Sequence, residues 1–137
     1  MIFTSVAPLT SIFFTVVILI SCGPSTPSLE GIDVAKWKSD LNGCGGERAL
    51  AWKQLELQKE KLIGLAELDV VALLGKPDRN ELSTRNQKFY YYFLEPAASC
   101  APNSLDHEPA RLAIRFNAMG LAKEVRVEQD YGGERGH

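Results

Sequence analysis

Cys22, Cys44 and Cys100 are the side chains of this chain best suited to chemistry. A cysteine can serve as a nucleophile, a metal ligand, a point of lipid attachment or half of a disulfide, and its neighbours decide which. A zinc site fits poorly. The chain has two histidines, His107 and the C-terminal His137, and no close Cys-x-x-Cys spacing. Nucleophilic catalysis fits no better: there is no Gly-x-Ser-x-Gly elbow, no His-Glu-x-x-His helix and no phosphate-cradling glycine loop. Ser104 and His107 lie three residues apart in Ser104-Leu105-Asp106-His107-Glu108, a polar string with no fixed geometry. The sequence therefore predicts a non-enzymatic protein with no catalytic residue, no metal, no cofactor and no small-molecule substrate.

Cys22 closes an uncharged apolar run in Leu19-Ile20-Ser21-Cys22-Gly23, and the first charged side chain is Glu30. An apolar segment that ends in small residues reads as an export signal. The tetrad Leu-Ile-Ser-Cys resembles the lipobox of bacterial lipoproteins. The resemblance implies a signal peptide over residues 1–21, cleavage before Cys22, and diacylglyceryl attachment to its sulfur. Two plainer readings stay open. The run is about the ~20 residues of a transmembrane helix, and an ordinary signal peptide would leave Cys22 incidental. Pro8 and the small-residue end oppose the uncut helix, whereas no Lys or Arg precedes the run as a signal usually requires. The expected location is the cell envelope, with the chain lipid-anchored at the outer membrane and facing the periplasm.

Removing residues 1–21 of 137 leaves 116, enough for one modest domain. Its 15 basic and 17 acidic residues give no electrostatic footprint for nucleic acid and no polybasic patch for anionic lipid. Membrane attachment would rest on acyl chains, at about 0.8 kcal/mol per buried methylene. In an oxidising compartment the pair Cys44 and Cys100, each flanked by loop formers, reads as a disulfide. Closing that loop contributes roughly 4 kcal/mol on the chain-entropy view.

The elements that must position these residues follow from periodicity. Residues 22–30 form a tether around Gly23-Pro24-Ser25-Thr26-Pro27-Ser28, residues 31–130 one domain, and residues 131–137 a loose tail. Asp33 is placed to cap a helix carrying Val34, Trp37 and Leu41. A longer helix is expected over Glu47 to Leu62, with Ala49, Trp52, Leu55 and Leu62 on its apolar stripe. A third runs Leu65 to Leu74, poorly capped by Ala66 and stopped by Gly75 and Pro77. The two tryptophans read as core. The period then changes to that of strands: Lys88 to Leu94, Arg111 to Phe116 with Leu112, Ile114 and Phe116 inward, and a last strand with Val125 and Val127 inward. Asn117-Ala118-Met119-Gly120 is the turn of that last hairpin. Arg111 and Arg115 should face Glu124 and Glu128 across it, an ordinary solvated sheet face. A weaker strand is read around Arg79 to Thr84. The stretch Glu95 to Pro109 is a long loop.

A helix ending Leu73-Leu74-Gly75-Lys76-Pro77-Asp78, the aromatic strand Phe89 to Phe93, and the hairpin turning through Gly120 resemble the SmpA/OmlA (BamE-like) family over about residues 62–128. That family shares its fold with the β-lactamase inhibitor protein repeats. The resemblance implies an α+β fold, with N-terminal helices packed on one face of a three-stranded antiparallel sheet. It also implies a scaffolding lipoprotein subunit of an envelope complex such as the β-barrel assembly machine. The Trp-bearing segment ahead of residue 62, the cysteine pair and the long loop depart from that pattern. The alternative is a stand-alone periplasmic binding or inhibitory module acting through the stapled loop. If Phe89, Tyr91 and Phe93 face the helices, Tyr90 and Tyr92 lie on the open sheet face as the candidate interaction surface for an envelope protein partner.

Overall fold

The computed structural model describes residues 26–100 and 108–129. Cys22, the signal segment, His107 and the C-terminal tail lie outside those residues. Three helices, α1 (Val34–Ser39), α2 (Glu47–Glu56) and α3 (Glu67–Leu74), precede an antiparallel sheet. Its strands are β1 (Arg79–Leu82), β2 (Lys88–Phe93), β3 (Arg111–Phe116) and β4 (Ala122–Glu128), in the order β1-β2-β3-β4. The class is α+β as expected. The sheet has four strands rather than three, because the weakly patterned segment after Pro77 pairs with β2 from Arg79↔Tyr91 to Leu82↔Lys88. All four β1 residues are exposed, so no apolar alternation marked that strand.

Local chemistry accounts for the helix ends. The Asp33 carboxylate accepts the Lys36 N–H at 3.1 Å and opens α1. Gly46, which precedes α2, has no side chain to cap it. Asp40 caps it from outside instead, accepting the Gly45 N–H at 2.6 Å and the Arg48 N–H at 2.9 Å. α2 ends at Glu56, short of the expected Leu62, and a separate 3₁₀ turn spans Lys59–Leu62. Ala66 indeed makes no side-chain cap for α3. The backbone compensates: the Glu67 N–H donates to the Gly120 carbonyl at 3.1 Å, and the Ala122 N–H to the Leu65 carbonyl at 2.9 Å. The start of α3 is thereby stitched to the β3–β4 turn, where Gly120 takes φ +75°.

The helices cover one face of the sheet. Trp37, Leu55, Leu62, Val70, Leu73 and Leu74 meet Tyr90, Tyr92, Leu112, Ile114, Phe116 and Val125 in one core. Both tryptophans are accounted for by packing: Trp37 is buried and Trp52 half-buried against the same core. Leu29, at the edge of the tether, joins it too.

Candidate interaction surface

The aromatic strand is where the sequence expectation fails. Tyr90 and Tyr92 point into the core; Tyr92 is fully buried, and its hydroxyl donates to the Gly75 carbonyl at 2.9 Å. Phe89, Tyr91 and Phe93 take the opposite face. In a strand where five of the six residues are aromatic, no polar residue marks the outward side, and a shift of one residue exchanges the faces. Tyr90 and Tyr92 are thus not a surface. The Tyr90 hydroxyl donates to Glu67 Oε2 at 2.9 Å, and Lys88 Nζ reaches the same oxygen at 2.7 Å. Burial, aided by that carboxylate, pushes the Tyr90 phenol up to about 12. Burial likewise pushes Tyr92 upward. Burial would raise Glu67, but the hydrogen bonds from Lys88 and Tyr90 outweigh it and hold the carboxyl below its ordinary value.

The sheet face turned away from the helices is built from alternate residues of all four strands. Register places Arg79 and Glu81 on β1 beside Tyr91 and Phe89, then Arg111, Ala113 and Arg115 on β3, then Glu128, Arg126 and Glu124 on β4. The Phe89 and Tyr91 rings stack with centroids 6.1 Å apart and planes 8° from parallel. The Arg111 guanidinium lies 4.2 Å from the Tyr91 ring centroid. Arg111 Nε donates to Glu128 at 2.9 Å and Arg115 Nε to Glu124 at 3.0 Å, so the cross-strand pairs read from sequence form as expected. Arg126 was not anticipated in that role: it bridges both glutamates at 2.8 Å and ties the pairs into one lattice. Hydrogen bonds from Arg115 and Arg126 hold Glu124 below the ordinary carboxylate value. Burial opposes the same shift at Glu128, and the bonds from Arg126 and Arg111 overcome it. A cleft of about 310 Å³ closes one end of this face, lined by Glu108, Pro109, Arg111, Glu128 and Gln129. Its one arginine is already held by Glu128, so the cleft offers no free cation to an anionic ligand.

Below the sheet edge sits a buried polar node with no counterpart in the sequence expectations. Arg48, on α2, has no exposed surface, and it pairs with Asp78, whose side chain is 2% exposed. Arg48 Nε also donates to the Trp37 carbonyl at 3.1 Å. The guanidinium carbon lies 5.5 Å from the ring centroids of both Trp37 and Tyr92. Asp78 in turn accepts the Asn42 N–H at 2.9 Å and the Phe93 N–H at 2.8 Å. One ion pair thus joins α1, the 3₁₀ turn Leu41–Gly43, α2 and the end of β2. A sequence signal existed: Arg48, Ala51 and Leu55 share one helical stripe, and a cation there needs a buried partner. Trp37 Nε1 and Arg48 Nη2 are buried without a partner among the described residues.

Cys44 and Cys100 stand together as a disulfide, with Cα atoms 5.5 Å apart. The bridge brings the loop after β2 to the Leu41–Gly43 turn, where the Ala97 N–H donates to the Asn42 carbonyl at 3.0 Å. Gly43, at φ +67°, is pressed against the same loop: a Cβ there would lie 2.6 Å from the Glu95 carbonyl oxygen. Among the described residues no group of His, Cys, Asp and Glu could hold a metal ion, and no helix is long and apolar enough to cross a membrane. No family model, curated protein or solved structure matches this chain.

Proposed function

We propose that the protein is a non-enzymatic lipoprotein of the cell envelope, tethered through Cys22, whose open sheet face binds a protein partner. In this reading it is a scaffolding subunit of a membrane-associated complex, of the kind the SmpA/OmlA resemblance implies. The observation that carries the reading is the composition of the face. The half-buried Phe89 ring stacks on Tyr91, which lies buried beneath Arg111, and both are framed by further arginines and glutamates; aromatic residues with arginine dominate the centres of protein interfaces. The lattice is already formed without a partner, which lowers the ordering cost of binding. Its mixed charge suits a partner with alternating charges rather than a polyanion.

The test is crosslinked affinity purification from native envelopes, comparing wild type with Cys22→Ser and with the triple variant Phe89→Ala, Arg115→Ala and Arg126→Ala. The triple variant touches only the open face, and exposed ion pairs contribute about 0–1 kcal/mol each, so the domain should stay folded. Loss of the partner from this variant supports the reading; undiminished recovery sinks it. Loss on Cys22→Ser as well ties the interaction to the anchor. The stapled loop supports the second reading, an inhibitory module, because the cysteine bridge holds the start of Glu95–Pro109 against the Leu41–Gly43 turn. Recovery of one soluble protein from both variants would favour it.

A further inference from the structure

α2 packs Ala51, Trp52 and Leu55 on the core but leaves two leucines outside, the second of them its C-terminal cap. It buries Arg48 and Leu55, while Leu50 and Leu57 are 82% and 80% exposed. Each leucine follows a buried residue by two positions, a rotation of about 200°, so the pair lies on the side opposite the core. Lys53 shares that side, at the i+3 position from Leu50. An apolar pair placed against the binary pattern, on a helix whose inward stripe is already committed to Arg48, calls for a covering surface.

The chain leading from Cys22 limits what can cover it. Residues 28–30 are strapped to the segment that follows α2, Gln58 and the 3₁₀ turn Lys59–Leu62: the Glu30 N–H donates to Gln58 Oε1 at 2.8 Å, Gln58 Nε2 returns a bond to the Glu30 carbonyl at 2.7 Å, and Lys61 Nζ donates to the Ser28 carbonyl at 3.0 Å. Gln54 lies on α2 one turn from both exposed leucines, and its carbonyl accepts Gln58 Nε2 at 3.1 Å, which links the strap to the helix. Five residues lie between Ser28 and Cys22, which makes six residue steps. They span at most roughly 20 Å when fully extended, so an anchored Cys22 keeps this flank within that distance of the bilayer.

We propose that the outward face of α2, built on Leu50, Lys53 and Leu57, seats the domain on the lipid bilayer that anchors it. The inference rests on the membrane attachment proposed above. It holds equally if residues 1–21 remain as an uncut anchor, since both place the bilayer at residues 21–22. The leucines enter the headgroup boundary while the Lys53 stem extends its amine to the lipid phosphates. Glu47 and Glu56 offset the nearby lysines, so lipid charge contributes little. The tether makes the contact intramolecular, and two modest apolar anchors then suffice. Seated this way, the sheet face carrying Phe89 and Arg115 stays free for a partner, because the core and the sheet itself lie between it and the outward side of α2.

The experiment uses the full chain, purified from membranes and reconstituted into phosphatidylethanolamine–phosphatidylglycerol vesicles whose acyl chains carry bromine, a short-range quencher of tryptophan. Leu57→Trp reports on the α2 face and Leu82→Trp on the exposed edge strand β1, each read as the emission added over wild type. Flotation with the vesicles reports anchoring independently. The expected result is flotation of both variants, with most of the added emission lost for Leu57→Trp and retained for Leu82→Trp. Flotation with equal, unquenched emission from both overturns the docking and leaves the anchor standing. A blue-shifted but unquenched Leu57→Trp signal also overturns it, because a second protein copy then covers the face. Failure to float overturns the anchor, and the docking with it.

Discussion

Replacing Arg48 with methionine removes the cation from the buried node while keeping most of the side-chain volume. Four losses follow. Asp78 loses its counter-charge, the Trp37 carbonyl loses the bond from Nε, the Phe93 carbonyl loses the longer bond from Nη1, and the aromatic faces of Trp37 and Tyr92 lose their cation. Breaking a buried pair by removing one partner costs about 3–5 kcal/mol, because the remaining charge is stranded. Two features offset part of this. Asp78 keeps the amides of Asn42 and Phe93, and methionine restores apolar contact in a site that already contains the unpaired Arg48 Nη2. The expected net loss is about 3 kcal/mol, a large share of the ~5–15 kcal/mol that stabilises a domain. It lowers Tm by roughly 12 °C or more for a domain of this size. Urea unfolding followed by circular dichroism, with the disulfide intact, measures it. A cycle with Asp78→Asn isolates the pair: the double variant should be about 1.5 kcal/mol more stable than the two single losses predict. A loss under about 1 kcal/mol for Arg48→Met, or strict additivity in the cycle, would refute the node as a tertiary joint.

Three further outcomes follow from the same contacts. Replacing Cys44 and Cys100 together by serine should cost about 4 kcal/mol, from a bridge that spans 56 residues of sequence; an unchanged urea midpoint relative to oxidised wild type would contradict that. Gly43→Ala should cost about 2 kcal/mol or more, since φ is +67° and the new Cβ meets the Glu95 carbonyl. Gly46→Ala, at φ +77° with nothing within 4 Å, should cost only about 1 kcal/mol, and equal costs would refute the close approach at Gly43. Stability should also be flat only between two pH limits. Tyr90 is raised from 10.0 to about 12, so its contribution is complete below pH 10 and lost as pH climbs through 12. Glu67, Glu124 and Glu128 are lowered from 4.5, so theirs is complete above that pH and lost as pH falls beneath it. The urea midpoint measured against pH checks both limits; an alkaline limb unchanged in Tyr90→Phe would sink the assignment to Tyr90.

Most of the β3–β4 hairpin was legible in the sequence, apart from the register shift between Arg115 and Phe116. Arg111 to Phe116 alternates charged and apolar residues, Gly120 supplies the turn, and these two features together set which glutamate meets which arginine. The Asp33 cap and the pairing of Cys44 with Cys100 were legible for similarly local or compositional reasons. The facing of β2 was not. Its aromatic run carries no alternation, and the long Glu95–Pro109 connection carries no register from β3 back to β2. The facing was decided by what each ring could reach: the Tyr90 hydroxyl finds Glu67 and the Tyr92 hydroxyl finds the Gly75 carbonyl, both on or at the end of α3. A buried tyrosine needs such a partner, and only the packed helices provide one.

Sequence by itself determined what depends on near neighbours: the apolar run ending at Cys22, the helical and strand periods, the cap at Asp33, the turn at Gly120 and the charge pairing along the last hairpin. Tertiary structure alone decided what depends on residues far apart in the chain. It drew Arg48 inward to Asp78, 30 residues away, turned Leu50 and Leu57 outward, supplied α2 with a cap from Asp40 and gave α3 the β3–β4 turn in place of one. Each is a polar group settling where its partner lies or an apolar one displaced by it, and burial makes an unpartnered polar group costly enough to override the local pattern.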